Sequence, residues 1–276
     1  MLKIDSHQHF WLYHPVKDAW ITDDLKAIQQ DFLPADLSPI LEQHGIGGCI
    51  AVQADQSEKE TEFLVELARQ HSFIKGVVGW VDLQSEDIEE QLARYNRQPI
   101  IKGFRHILQG EPDDRFMLGD QFQRGISLLH KYNFTYDILI KPQHLPYATE
   151  LAGTFPQQRF VVDHMAKPLI KDQILDNWEQ GIKDLAVHPN VYCKVSGLVT
   201  EADWHRHQPE DFKPYLNVVF EAFGIERLMF GSDWPVCNVA GGYDAAINTI
   251  RGYIGQFDKA GQEKFWAGNA TAFYRL

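Results

Sequence analysis

The sequence predicts an α/β fold, a (β/α)8 TIM barrel formed as a single domain over residues 1–276, and three observations support this prediction. Eight apolar segments of strand length alternate with segments whose apolar residues return at helical spacing, a pattern typical of a parallel sheet covered by helices. A doubly wound open sheet would place a glycine-rich phosphate turn after an early strand, and no G-x-G-x-x-G occurs. The length of 276 residues also suits one barrel.

The predicted strands and helices alternate up to the eighth strand, and two helices then close the chain. The strands cover residues 4–10, 49–53, 76–83, 100–106, 134–140, 160–164, 191–197 and 228–233. The helices cover residues 34–44, 60–68, 88–95, 122–132, 146–155, 178–186, 215–223, 243–257 and 262–273. In the first helix Pro34 stands near the start and Gly45 lies just past the end, the positions that these two residue types favour. The chain contains no internal repeat, low-complexity tract or linker, so we expect one domain.

Residues 10–34 form a long segment without a regular pattern, directly after the first strand. This segment is rich in aromatic residues, namely Phe10, Trp11, Tyr13, Trp20 and Phe32. Long loops in this position often carry function. Two interpretations stay open: the segment is a lid or substrate wall, or it is an excursion that packs on its own aromatic side chains.

Composition and charge exclude several classes of partner. The net charge of −12, without a basic stripe, argues against a nucleic-acid partner. The three cysteines, Cys49, Cys193 and Cys237, are too few and too scattered for a disulfide framework or a cysteine-rich zinc site. No apolar run is long enough to cross a membrane, and Lys3 and Asp5 interrupt the segment where a signal peptide needs an apolar core. We therefore expect a cytoplasmic protein without a membrane partner, and the sequence leaves open whether it forms a homo-oligomer.

The first strand carries a pair of candidate metal ligands, His7 and His9. Side chains alternate along a strand, so both rings point to the same side. Neutral imidazole binds zinc, manganese or iron, but two ligands do not make a site. A His-x-His pair on a surface strand is usually incidental, and this pair gains weight because strand ends build the active site of a closed α/β barrel.

Two further candidate ligands follow the sixth and eighth strands. His164 comes after a buried apolar run, where a histidine is more often a hydrogen-bonded core residue than a ligand. Asp233 follows the last strand, where an aspartate also serves well as a helix cap. Together with His7 and His9 they supply three imidazoles and a carboxylate, a plausible set for one divalent ion with an open coordination position.

Other polar residues end the remaining strands and would converge on the same mouth if all strands run one way. The candidates for substrate binding are Gln53, Trp80, Lys102, Arg105, His106, Asp137 and Lys194. The cations Lys102, Arg105 and Lys194 could bind substrate oxygens or stabilise an oxyanion, and the alternative for each is a solvated charge on the rim. The indoles of Trp11, Trp80 and Trp234 are expected to form aromatic walls for a polyhydroxylated ring.

Three motifs in this order carry a resemblance to a known family. They are His7-x-His9 on the first strand, D-H-M-A-K-P at residues 163–168 and G-S-D-W-P at residues 231–235. The chain resembles the amidohydrolase superfamily (amidohydrolase-2 group) over essentially its whole length. The run K-G-F-R-H at residues 102–106 and the D-H-x-x-K-P run most resemble the branch of sugar-lactone hydrolases that includes L-fuconolactonases and L-rhamnonolactonases.

The resemblance implies hydrolysis of a small-molecule sugar lactone by an activated water, with Asp233 as general base and His164 as a second catalytic residue. It also implies one divalent metal, with zinc the first choice, held by His7, His9, His164 and Asp233; the metal could prove dispensable. Two-metal members of the superfamily use histidines from the fifth and sixth strands. Here the fifth strand offers Asp137 and no histidine at the matching point, which disfavours a two-metal site.

Two alternative functions stay open at this stage. A branch of the same superfamily contains metal-dependent decarboxylases of aromatic or muconate-type acids, which share His-x-His and the aspartate of the eighth strand. The chain could also be a catalytically silent barrel that acts as a binding protein. Release of carbon dioxide would identify the first alternative, and indifference of function to Asp233→Asn would identify the second.

Overall fold

The computed structural model describes residues 3–276 and confirms the predicted (β/α)8 barrel. Eight parallel strands lie side by side in chain order, each paired with the next. They are β1 Lys3–Gln8, β2 Ile46–Val52, β3 Ile74–Gly79, β4 Ile101–His106, β5 Thr135–Ile138, β6 Phe160–Val162, β7 Val191–Val195 and β8 Leu228–Phe230. Because the strands are parallel, their carboxyl ends form one mouth, where the active site of such a barrel is built.

Helices surround the strands in the predicted order. They are α1 Pro34–His44, α2 Glu58–Gln70, α3 Ile88–Tyr95, α4 Asp120–Lys131, α5 Leu145–Thr154, α6 Asp176–Ala186, α7 Pro209–Phe223, α8 Gly242–Ile254, α9 Lys259–Glu263 and α10 Asn269–Tyr274. Each long helix buries one face; in α4 that face consists of Phe122, Ile126 and Leu129, at the spacing of an amphipathic helix. The helix predicted over 262–273 is interrupted, because a π-helical turn at Lys264–Gly268 joins α9 to α10.

Several strands are shorter than predicted, and the missing residues form turns that matter for the site. The sixth strand ends at Val162 rather than at His164, and the eighth ends at Phe230 rather than at Asp233. In both places the backbone leaves the extended conformation, with φ of 52° at His164 and 59° at Asp233. The residues that follow each ladder, at 163–164 and 231–233, are polar or glycine but buried, so their position next to an apolar run does not show where the strand ends.

The junction of β8 with β1, which we call the β8–β1 seam, closes the barrel at its mouth. Among the described residues the two strands meet at a single bridge between Gln8 and Trp234. The backbone nitrogen of Asp233 donates to the His7 carbonyl at 2.8 Å, and that of His9 donates to the Trp234 carbonyl at 2.7 Å. The Ser6 hydroxyl also donates to the Phe230 carbonyl at 2.6 Å, so a side chain contributes to the closure.

The opposite end of the barrel is closed by the C-terminal helix. The interior there contains Ile50, Val78, Val161 and other strand residues, and Phe273 and Tyr274 of α10 pack against them. Burying an aromatic side chain of this kind contributes about 2 kcal/mol. The barrel is therefore open only at the mouth. No helix among residues 3–276 is long and apolar enough to span a membrane.

The segment after β1 has a packed stem and an exposed tip. Trp11 and Phe32 form a backbone bridge, with nitrogen–oxygen distances of 3.0 and 2.9 Å, and both side chains are buried. The Trp11 indole donates to the Gln30 carbonyl at 2.8 Å. Trp20, in contrast, is 44% exposed and lines the cavity described below. The stem is thus a packed excursion, as one of the two interpretations expected, and the tip borders a cavity.

Candidate active site

Three histidines and one aspartate converge at the mouth of the barrel. The Nε2 atoms of His7 and His9 are 3.2 Å apart. Asp233 Oδ1 lies 3.4 Å from Nε2 of His9, 3.8 Å from that of His164 and 3.9 Å from that of His7. His7, His164 and Asp233 form a group whose donor atoms lie within 4.8 Å of one another, and His9 borders this group. All four residues are buried.

Each ring is oriented by a partner at its other nitrogen. His9 Nδ1 lies 2.8 Å from the Val52 carbonyl oxygen, and His164 Nδ1 lies 2.9 Å from the Ser196 hydroxyl. His7 Nδ1 lies 3.0 Å from the Lys194 ammonium and 3.3 Å from Asp163 Oδ1. These contacts leave all three Nε2 atoms facing the Asp233 carboxylate, the arrangement by which outer partners orient metal-binding histidines.

The protonation of the cluster suits a cation. Burial holds the pKa of both His7 and His164 well below the usual value, so both rings are neutral at pH 7. Burial alone would raise the pKa of Asp233, but the neighbouring His164 and His9 bring it below its ordinary range. Neutral imidazoles around an ionised carboxylate are the donors that zinc and similar divalent ions take. The residues therefore fit one divalent metal.

His164 stands at the start of an unusual turn after β6. His164, Met165, Ala166 and Lys167 have φ between 52° and 58°, so four successive residues without glycine are left-handed. This conformation costs about 1–2 kcal/mol per residue for side chains with a Cβ. The Trp178 indole donates to the Met165 carbonyl at 2.7 Å, and the Lys167 nitrogen donates to the His164 carbonyl at 2.8 Å. The turn brings both His164 and Lys167 to the cavity, and such strain is common at functional sites.

A buried network of four charges lies around and beneath the histidines. The Lys194 ammonium contacts Asp137 Oδ2 at 2.5 Å and Asp163 Oδ1 at 3.0 Å. Arg105 Nη1 contacts Asp163 Oδ2 at 3.1 Å, and the Tyr274 hydroxyl donates to Asp137 at 2.8 Å. Burial raises the pKa of Asp163, but Lys194, His7 and Arg105 together hold it well below its usual range. The two buried carboxylates are therefore paired with two buried cations, and such pairing offsets the cost of removing each charge from water.

The mouth contains a cavity of about 200 Å³ whose floor is the His–Asp cluster. His9, His164, Asp233, Arg105 and Trp11, all selected from the sequence, line this cavity. Its other lining residues are Trp20, Ala54, Ile107, Gln109, Leu139, Lys167 and Val236. Sequence reasoning missed Lys167 as a site residue, although the D-H-x-x-K-P run contains it. Ile107, Gln109 and Val236 lie outside the barrel strands and carry no signal that would have selected them.

Four predicted substrate-binding residues lie elsewhere. Lys194 and Asp137 are fully buried in the network beneath the cluster and do not line the cavity, so the structure does not support substrate contact for them. Lys102 stands at the start of β4, and its ammonium donates to the Arg275 carbonyl at 3.2 Å at the closed end of the barrel. This placement removes Lys102 from the site. Gln53 does not line the cavity. Its side-chain amide donates to the carbonyl of Arg105, a residue that does, at 3.0 Å.

The remaining predictions concern aromatic and histidine side chains. Trp80 Nε1 lies 3.4 Å from Nδ1 of His106, and His106 in turn contacts Glu111 at 2.7 Å. Neither Trp80 nor His106 lines the cavity. Trp234 is buried against Phe32, with ring centroids 5.3 Å apart, and supports the stem of the loop instead of forming a substrate wall.

A barrel with a buried His-x-His pair, a histidine after β6 and an aspartate after β8 has the site that the sequence motifs associated with the amidohydrolase superfamily. The amidohydrolase family model matches residues 4–276, so the chain belongs to the amidohydrolase family. The predicted family membership is thus confirmed.

Similar proteins indicate which kind of amidohydrolase this chain resembles. The chain is 37% identical to an L-fucono-1,5-lactonase of Burkholderia multivorans, with 100% of this chain and 96% of that protein covered. It is 36% identical to an L-fucono-1,5-lactonase of Burkholderia ambifaria, with 99% and 96% covered. A crystal structure of an amidohydrolase from Burkholderia multivorans with bound zinc superimposes with a TM-score of 0.96 at 37% identity, covering 100% of both chains.

Proposed function

We propose that this protein is a hydrolase that opens a sugar-derived lactone, with Asp233 as the general base. One observation carries the proposal: an ionised, buried carboxylate stands among three inward-facing histidines on the floor of a cavity, in a chain similar along its whole length to L-fucono-1,5-lactonases. The class of substrate is therefore an aldonolactone, and a six-deoxy sugar lactone is the first to test.

The carboxylate suits both proton transfers of lactone opening. Asp233 takes a proton from a water molecule as the water oxygen attacks the lactone carbonyl carbon. When the tetrahedral intermediate collapses, the bond from carbon to ring oxygen breaks, and the protonated Asp233 returns the proton to the leaving alkoxide. The product is a hydroxy acid, which releases its own proton at pH 7. His164, 3.8 Å from Asp233, lowers the pKa of the carboxyl group and so keeps it ionised at neutral pH, the form that can take a proton.

A divalent metal fits this site, and we propose zinc, the ion bound in the similar Burkholderia multivorans structure. His7, His9, His164 and Asp233 would hold it. When bound, such an ion polarises a carbonyl and lowers the pKa of a water molecule.

The cavity walls suit a single sugar ring. Arg105 and Lys167 present cations to the polar side, where they can bind hydroxyl oxygens or the oxyanion of the intermediate. Trp11 and Trp20 present aromatic surface on which the face of a sugar ring can pack, with their ring centroids 6.0 Å apart. A volume of about 200 Å³ favours a monosaccharide over a larger ligand.

The direct test is acid release from a panel of aldono-1,4- and 1,5-lactones, followed with a pH indicator. We expect turnover of at least one six-deoxy lactone, and a fall in kcat of about 10²–10⁴-fold in Asp233→Asn. Asp120→Asn, at the exposed start of α4, is the matched control and should keep full activity. Treatment with a chelator should abolish turnover, and added zinc should restore it.

Two results would contradict the proposal. Full activity in Asp233→Asn would remove the general base from the mechanism. Carbon dioxide release from an aromatic acid, with no turnover of any lactone, would replace hydrolysis with decarboxylation.

A further inference from the structure

The β8–β1 seam runs between three of the four candidate metal ligands. His7 and His9 lie on its β1 side, and Asp233 lies just past β8 on the other side. Every other neighbouring pair of strands is joined by a parallel ladder, whereas the described residues of this seam share one backbone bridge. The spacing of the ligands across the seam therefore depends on the two backbone hydrogen bonds described above and on the few side chains that join its two sides.

Asp5 is the side chain that joins them most directly. Its Oδ1 accepts a hydrogen bond from the backbone nitrogen of His7 at 3.1 Å and another from that of Ser232 at 2.9 Å. The first nitrogen belongs to a candidate ligand, and the second belongs to the residue just before Asp233. One oxygen atom thus fixes the backbone on both sides of the seam at the residues that carry the site.

The remaining surroundings of Asp5 show that this carboxylate has no cationic partner. The side chain is fully buried, and its Oδ2 accepts a hydrogen bond from the Tyr243 hydroxyl of α8 at 3.0 Å. Within residues 3–276, no Lys, Arg or His nitrogen forms an ion pair with it. Burial without a cation is costly, so the three hydrogen bonds must offset it.

We propose that Asp5 is a positioning residue that holds His7 and Asp233 at the spacing needed to bind one divalent ion. The relevant atoms, His7 Nε2 and Asp233 Oδ1, are 3.9 Å apart. Because both backbone nitrogens share one acceptor, widening or sliding of the seam breaks at least one bond. Ser232 adds a second link across the same seam, since its hydroxyl donates to the His7 carbonyl at 3.5 Å. The proposal rests on the metal centre proposed above, and it assigns Asp5 no contact with substrate.

The test measures zinc affinity without substrate, by competition with a chromophoric chelator, in Asp5→Ala, Asp5→Asn and Tyr243→Phe. We expect Asp5→Ala to weaken zinc binding by about 10–100-fold, the usual effect of removing an outer partner of a metal site. Asp5→Asn keeps an oxygen that can accept both nitrogens, and its amide can donate to Tyr243, so zinc affinity should recover to within about tenfold.

Tyr243→Phe is the control for a purely structural effect. It removes the bond to α8 and leaves both seam bonds, so we expect a lower melting temperature of the metal-free protein with zinc affinity unchanged. The absorption spectrum of bound cobalt should change in Asp5→Ala and stay the same in Tyr243→Phe. Asp5→Glu, which keeps the charge but moves the oxygens, should weaken zinc binding as well, and it serves if Asp5→Ala does not fold.

Equal zinc affinity in Asp5→Ala, Asp5→Glu and the unaltered protein would overturn the proposal. The zinc affinity tests the role of Asp5 independently of the proposed lactone hydrolysis. Absence of lactone turnover leaves the zinc measurements valid, whereas lactone turnover together with unchanged zinc affinity in the Asp5 variants rejects the role of Asp5 alone. If the unaltered chain binds no zinc, the metal centre and the role of Asp5 are both rejected.

Discussion

Glu60 is a buried carboxylate outside the active site. It lies in the first turn of α2, only 5% exposed, and accepts a hydrogen bond from the Ala54 nitrogen at 3.2 Å. Burial raises its pKa from 4.5 to about 7. Between these two values the folded chain holds a proton that the unfolded chain has lost, so this group makes stability fall as pH rises.

We expect Glu60→Gln to remove that dependence. The amide keeps an acceptor for Ala54 and carries no charge, so the variant should be more stable than the unaltered protein at pH 8, by about 1–3 kcal/mol, and similar to it at pH 4.5. Urea unfolding at both pH values provides the measurement, and Glu62→Gln, on the exposed side of the same helix, is the control. A stability difference that does not change with pH would contradict the expectation.

Removing the charge of two lysines near the site should have different effects, on activity for one and on stability for the other. Lys167 lines the cavity and makes a half-buried ion pair with Glu201 at 3.1 Å, so Lys167→Met should lower kcat/KM by about 10–100-fold with little loss of stability. Lys194→Met leaves Asp137 and Asp163 without their shared cation and should destabilise the fold by about 3–5 kcal/mol.

Kinetics on lactone together with thermal unfolding would test both lysines, with Lys171→Met as an exposed control. Unchanged kinetics in Lys167→Met would remove this residue from substrate binding. Unchanged stability in Lys194→Met would show that the two carboxylates do not need its charge.

These lysines also show which part of the site could be predicted. Sequence pattern correctly assigned Lys102 to the fourth strand and Lys194 to the seventh, but it does not show how far along the barrel axis a side chain lies. Lys102 stands at the closed end, Lys194 beneath the cluster and Lys167 in a turn outside any strand. The histidines and Asp233 were selected because their residue types, predicted at the ends of the first, sixth and eighth strands, suit metal binding and proton transfer.

At the level of elements, the left-handed turn after β6 offers a test of stored strain. Ala166 has a φ of 58°, which glycine adopts without cost and alanine does not. Ala166→Gly should therefore stabilise the protein by up to about 1 kcal/mol, after the entropy that glycine adds to the unfolded chain. Ala93→Gly, inside α3, should destabilise it by about 1 kcal/mol.

Denaturant unfolding of the two alanine variants gives the comparison. Equal destabilisation by both would show that the turn is not strained at Ala166. The sequence of this turn contains no glycine or asparagine, the residue types that favour a left-handed conformation. The pattern therefore predicted a strand that continues to His164.

For the whole molecule, the alternation of eight apolar strands with amphipathic helices was sufficient to predict the barrel and the order of its elements. Features that depend on contacts between distant elements were not accessible. The residues Phe273 and Tyr274 read as an ordinary helix end, and their burial in the barrel depends on the open space that the strands leave. The seam was equally hidden, because it joins the two ends of the sheet.

The β8–β1 seam also determines which part of the fold can form last. Asp5 and Ser232 are 227 positions apart, whereas strands in the other pairs follow each other directly in the chain. A contact between such distant segments pays a large loop-closure entropy and tends to form late. During synthesis on the ribosome, β1 therefore waits with an unpaired edge until β8 has emerged. The ligands of the two sides meet only then, so a chain halted before residue 228 cannot build the complete metal centre, however much of its sheet has formed.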